Sequence, residues 1–135
     1  MVGFRSTAKV VTVTASTLAP TAAQSDCTFL LDRAGGIAVT LPTPASGLEY
    51  TFIILTAPTT TSTITSTSNG TDAANITYGP CYSGAGDAAA NAAAEDVFSF
   101  ILNSAVTGAR VHYICDGTNW YIQGGATLAA SITVA

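Results

Sequence analysis

One histidine, three cysteines and eight carboxylates are the side chains of this 135-residue chain with most scope for chemistry. His112 lies inside Val111-His112-Tyr113-Ile114-Cys115, opposite in phase to Val111, Tyr113 and Cys115. A general base needs an orienting partner and a reachable nucleophile. The sequence offers no G-x-S-x-G turn, and Ser46-Gly47 and Ser83-Gly84 read as ordinary turns. A lone histidine in a strand reads as structural or solvent-facing. Cys27, Cys81 and Cys115 are far apart and form no C-x-x-C, so the zinc and redox spacings are absent. With one histidine and no cysteine pair, a site built on those ligands is excluded. Cys27 and Cys115 sit in apolar runs, where a free thiol packs as a small hydrophobe. Reduced, buried thiols suit a protein made in a reducing cytoplasm.

The carboxylates are Asp26, Asp32, Glu49, Asp72, Asp87, Glu95, Asp96 and Asp116. A glycosidase needs two that converge across a cleft. Glu95 and Asp96 are adjacent and would point to opposite faces of a strand. Asp87 with Glu95 and Asp96 matches no defined calcium loop. Asp26, Asp72, Asp87 and Asp116 flank Gly, Ser or Thr and read as turn residues. No catalytic residue, metal or cofactor is therefore expected, and a small hydrolase is the weakest reading. Trp120, Tyr113 and Tyr121 could instead stack on sugars. The competing role is packing, because a buried Trp removes a large apolar area from water. Trp120 follows a tight turn and opens an apolar strand, which favours packing.

The element that must position these residues is residues 108–123. Val111, Tyr113 and Cys115 alternate with His112 and Ile114, Asp116-Gly117 turns the chain, and Asn119-Trp120-Tyr121-Ile122 runs back. Asp-Gly between two β-rich runs is a strong hairpin signal, since Gly accepts the positive φ of a tight turn. Asp116, Gly117 and Trp120 are thus expected to be structural anchors. Further strands are predicted at 9–15, 27–32, 37–41, 49–56, 74–78, 96–102 and 127–134. The segment 49–56 is apolar on both faces and reads as a fully buried central strand. The Thr-rich segment 57–68 reads as an edge strand or an ordered loop. Residues 79–94, rich in Gly and Ala, read as a long surface loop with a possible helical turn. Residues 1–8 form a short N-terminal arm in which Phe4 and Arg5 are candidate contacts with a neighbouring subunit. No internal repeat stands out. The fold expected is one all-β domain over 9–135, a sandwich or barrel of about eight to ten short antiparallel strands.

Composition narrows the partners. Charged residues make up 9% of the chain, with net charge −4 and only Arg5, Lys9, Arg33 and Arg110 as cations. An ordinary domain carries about 25%. Four scattered cations give no footprint for nucleic acid or for an anionic membrane surface. Mean hydropathy is +0.43. Low charge with high apolar content suits a subunit whose surface neighbours cover. No apolar run approaches the roughly 20 residues of a membrane span. Arg5 and Lys9 followed by VVTVTASTLAP imitate a signal peptide, but Val11 and Val13 alternate with Thr12 and Thr14 as in a strand, so no leader is expected. The sequons at Asn69 and Asn75 read as accidents of a Thr-rich chain.

Two blocks carry a resemblance: CTFLLDRAGGIAVTLPTPASGLEYTFII (27–54) and GARVHYICDGTNWYIQGG (108–125), closed by SITV (131–134). In this order they resemble the small β-structured virion proteins of tailed bacteriophages, above all capsid decoration (cement) proteins, including those of cyanophage heads. The Ala-rich stretch 85–94 and the three cysteines have no counterpart in that pattern. The resemblance implies a β-scaffold without a catalytic site. It further implies a small homo-oligomer, a trimer, on the outer capsid, bridging major capsid protein subunits. The alternative is a receptor- or glycan-binding module of a head spike or tail fibre.

Overall fold

Period-two alternation of apolar and polar residues becomes β-structure along nearly the whole chain. The computed structural model describes residues 9–84, 88–126, 128 and 130–135, with 88–93 described by backbone alone. The arm at 1–8, with Phe4 and Arg5, and the carboxylate Asp87 lie outside the described residues. The strands are β1 (Val10–Val13), β2 (Thr17–Leu18), β3 (Cys27–Leu31), β4 (Ala38–Thr40), β5 (Glu49–Ile54), β6 (Ser62–Thr65), β7 (Thr77–Ser83), β8 (Ala88–Glu95), β9 (Val97–Phe100), β10 (Arg110–Cys115), β11 (Trp120–Ala126) and β12 (Ile132–Val134). They form a seven-stranded sheet ordered β1-β3-β5-β10-β11-β7-β8 and a five-stranded sheet ordered β12-β9-β6-β4-β2. Inward residues of both sheets share one core. The all-β class expected from the sequence therefore holds, in the form of a sandwich.

The expected all-antiparallel pairing does not hold; both sheets are mixed. From β1 to β6 the chain alternates between sheets, and β1-β3, β3-β5, β2-β4 and β4-β6 are parallel. The reason is geometric. A hairpin reverses the chain within one sheet, whereas a crossing to the opposite sheet and back returns it to the same end. Three coils result, and equivalent residues stack in rows. Val11, Phe29 and Phe52 form one row, and Val13, Leu31 and Ile54 another. Leu18, Val39 and Ile64 stack in the facing sheet. The coil escapes notice as a sequence repeat because its corners differ in length, 14–16, 32–37 and 55–61.

Three segments depart from expectation. The stretch 57–68 supplies β6, which lies in the middle of its sheet between β4 and β9 rather than at an edge. Its buried hydroxyls are accommodated because they have partners: Ser62 Oγ accepts from Ile37 N at 3.0 Å, and Thr67 Oγ1 donates to Leu41 O at 2.8 Å. The strand β5 is buried on one face only. Tyr50, Phe52 and Ile54 point into the core, while Glu49, Thr51 and Ile53 are half-buried on the outer face. Residues 79–83 and 88–94 are not loop but strand; β7 and β8 pair antiparallel. Alanine favours helix, but a two-turn helix is marginal alone, whereas β8 gains a ladder.

Aromatic rings fill the core around the closing hairpin. Trp120 is fully buried, with ring centroids 6.0 Å from both Tyr50 and Tyr113. Phe29 stacks on Phe52 at 5.5 Å, and Phe52 meets the Tyr113 ring edge-on at 5.9 Å. The parallel β7–β11 ladder runs Trp120↔Thr77 and Tyr121↔Tyr78, then resumes at Gly124↔Cys81. The break faces Gly79-Pro80. Proline has no N–H for the ladder, and Gly79 takes φ +139 against the Ile122 backbone.

Candidate functional site

The outer face of the seven-stranded sheet collects the polar side chains that the core strands turn outwards. Alternation on β10 sends Val111, Tyr113 and Cys115 inward and Arg110, His112 and Ile114 outward. Register places His112 opposite Thr51 on β5 and Gln123 on β11. Arg110 lies opposite Ile53 and Gly125, and Ile114 opposite Glu49 and Tyr121. Tyr78 and Tyr82 of β7 extend the outer rows beside Tyr121 and Gly125.

Within this face, Thr51 Oγ1 stands 2.8 Å from His112 Nδ1, and Glu49 Oε1 stands 2.9 Å from His112 Nε2. Hydroxyl, imidazole and carboxylate thus follow one another in the order that activates a nucleophile. The sequence reading left His112 without partners. Glu49 and Thr51 lie 61 or more positions away along the chain and come to it only through the β5–β10 register. Acyl transfer also needs donors aimed at a developing oxyanion. β5, β10 and β11 are each paired on both edges, which commits their main-chain N–H groups to ladders. The His112–Glu49 contact is about 40% exposed on each side, 41% for His112 and 38% for Glu49. Such a pair contributes little stability on its own. It fixes the imidazole against the sheet.

At the hairpin turn, Asp116 Oδ1 accepts from the backbone N–H groups of Thr118 at 2.9 Å and Asn119 at 2.8 Å. Tyr121 donates its hydroxyl to Asp116 Oδ2 at 2.9 Å. These bonds, chiefly that from Asn119, hold the Asp116 carboxyl below its ordinary value. Gly117 takes φ +108, as the Asp-Gly signal requires. Trp120 is buried, and Asp116 and Gly117 stand in the turn. Full burial removes Trp120 and Tyr113 from any sugar platform, leaving Tyr121 exposed.

All three cysteines are free and buried. Burial pushes the Cys81 thiol up to about 11 and raises Cys115 as well. A thiol held protonated at neutral pH is a poor nucleophile and a poor metal ligand. Among the described residues, no group of three His, Cys, Asp or Glu side chains converges as a metal site. No described helix is long and apolar enough to cross a membrane.

Beside His112 the outer face dips into an open groove of about 390 Å³, lined by Thr51, Arg110, His112, Gln123, Gly124 and Gly125. It continues along β10 and β11 past Gly108 and Ala126. Compared with known proteins, the chain matches no family model, no curated protein and no solved structure.

Proposed function

We propose that this chain is a structural protein of a tailed-phage virion, a decoration protein that binds the outer capsid as a small oligomer and cements it. The observation that carries the reading is the exposed end of the coil. β1 and β2, the first strands of the two sheets, are both terminal in their sheets and lie at the start of the chain. Among the described residues no strand covers them, and Val10 is 66% exposed. An unpaired edge is a template for another chain's strand. The arm at 1–8, with Phe4 and Arg5, precedes β1 in the sequence, and the reading assigns it to contact with the neighbouring subunit.

Composition supports the same reading. A 9% charge content leaves few repulsions against close neighbours. Leu55, Leu102 and Leu128 are exposed apolar side chains that an assembly would cover. The blocks at 27–54 and 108–125 supply the phage resemblance. Cementing then needs no chemistry: a protein that binds the assembled lattice and not its separated subunits stabilises the shell by its binding free energy.

The test is calorimetry of purified capsids with and without the protein, alongside its mass in solution. A trimer that raises the capsid melting temperature is expected. Equal melting temperatures would sink the cement role. Removing residues 1–8 should abolish capsid binding while leaving the melting of the free protein unchanged.

A further inference from the structure

We propose that the groove along β10 and β11 binds a short uncharged saccharide chain. This goes beyond capsid binding and does not depend on it, because the groove lies on the outer sheet face and the proposed lattice contact on the β1–β2 edge.

The argument starts from a glycine. Gly125 has no positive φ, and a Cβ placed on it would meet nothing closer than the Tyr82 carbonyl oxygen at 4.0 Å. Neither backbone nor packing requires glycine there. Its neighbour Gly124 is different: it faces the core, where a Cβ would crowd the Phe98 ring at 3.2 Å and Cys81 Sγ at 3.4 Å. What the missing side chain of Gly125 does is leave the outer face open between Arg110 and Tyr82.

Beside the groove, the same outer face carries side chains that saccharides use. Tyr82 is 50% exposed at one end and Tyr121 42% exposed at the other. Tyr78 lies beside Tyr121, with ring centroids 6.2 Å apart and planes inclined by 32°. Exposed aromatic faces of this kind pack on the C–H faces of sugar rings. Between the ends, Gln123 and Arg110 present exposed donors, while His112 and Glu49 are held in fixed orientation by their mutual bond. From the Arg110 row to the Tyr121 row is four residues of strand, roughly 13 Å. That length suits a few linked rings rather than one. Donors and acceptors alternating along it match hydroxyl groups, which are both.

Charge favours an uncharged chain. Arg110 is the one permanent cation among the groove's lining residues, and the carboxylates of Glu49 and Asp116 stand towards the Tyr121 end. The two signs offset one another, so the face holds no stripe of one charge for a polyion. Tyr121 is also preset, because its hydroxyl is already bonded to Asp116, so little rotamer freedom is lost on binding.

The experiment is a titration of the isotope-labelled protein with triacetylchitotriose, maltotriose and trigalacturonate, followed by backbone amide shifts. At least one of the neutral trisaccharides is expected to shift the Gln123, Gly125 and Tyr121 amides saturably at millimolar concentration. Trigalacturonate should bind at least tenfold more weakly. Gly125→Val, which fills the groove with a β-favouring side chain, should weaken binding at least tenfold with melting unchanged. Tyr82→Ala provides the second variant, and it should do the same. The proposal is overturned by no shift with either neutral sugar, by shifts that survive both variants, or by binding of trigalacturonate alone.

Discussion

The hydroxyl of Tyr121 donates to the carboxylate of Asp116 at 2.9 Å, tying the first residue of the hairpin turn to the returning strand. With the two turn amides on Oδ1, the carboxylate accepts three bonds. Its ionised form is thereby favoured in the folded state, and its proton affinity falls below the ordinary value of 3.8. A depressed carboxyl contributes stability that is present above the unfolded value and lost as pH falls through the lower folded value. The melting temperature should therefore drop on acidification through that window. Asp116→Asn should keep the turn acceptor but flatten this acid limb, and Asp116→Ala should lower melting by a few degrees at neutral pH. Circular dichroism melts across the acid range decide it; identical acid limbs in wild type and Asp116→Asn would refute the assignment.

Gly79 and Gly125 are both strand glycines, yet they should respond oppositely to alanine. A Cβ at Gly79 would stand 2.0 Å from the Ile122 carbonyl oxygen, at φ +139, with backbone on both sides of the clash. Neither side can yield without breaking the β7–β11 pairing. Gly79→Ala should cost upwards of about 3 kcal/mol, or prevent folding. Gly125→Ala meets open space and should fall within about 0.5 kcal/mol of wild type. Urea unfolding of the two variants separates the cases, and comparable losses would show that the Gly79 contact is not the constraint.

Much of the fold is legible because burial has period two. Val111, Tyr113 and Cys115 face inward as their spacing demands, and Asp116-Gly117 turns the chain where the dipeptide stands. What the spacing does not carry is pairing partner. A strand such as β3 alternates identically whether its neighbour runs with or against it, so the coil of β1 to β6 stayed hidden behind corners of unequal length. The segment around β6 was disguised by composition, since Ser62, Ser66 and Thr67 are polar residues buried with distant partners at Ile37, Ala74 and Leu41. The same limit hid the cluster of Glu49, Thr51 and His112. Each residue is ordinary in its own strand, and only register brings them together.

Trp120 has a second property besides burial: its indole N–H is enclosed and meets no acceptor among the described residues. Truncation to alanine should cost about 3–5 kcal/mol, as for other buried large aromatics. Trp120→Phe keeps a ring against Tyr50 and Tyr113 while removing the unpaired donor. The relief of that donor, about 1–3 kcal/mol, offsets part of the lost volume. Trp120→Phe is therefore expected to cost less than half as much as Trp120→Ala in urea unfolding. Equal costs would mean that the N–H is satisfied by water in solution.

Alkali should unfold the protein through its buried acids. Burial is the main cause that pushes the Tyr50 phenol up to about 12 and Cys81 to about 11, and it raises Tyr113 well above the usual range. Tyr50 also donates its hydroxyl to Thr21 O at 2.7 Å, a bond available only to the protonated form. In each case the folded protein retains a proton that the unfolded chain releases more readily. For a raised acid the contribution is fully present below the unfolded value and is lost as pH rises towards the folded one. The ordinary values are 9.0 for the thiol and 10.0 for the phenol, so stability should hold to about pH 9 and fall between there and about 12. Cys81→Ala should flatten the early part of this limb and Tyr50→Phe the later part, although each variant starts from a lower plateau. Melting curves collected from neutral to strongly alkaline pH give the test. An alkaline limb unchanged in both variants would assign the loss to other groups, such as Tyr113.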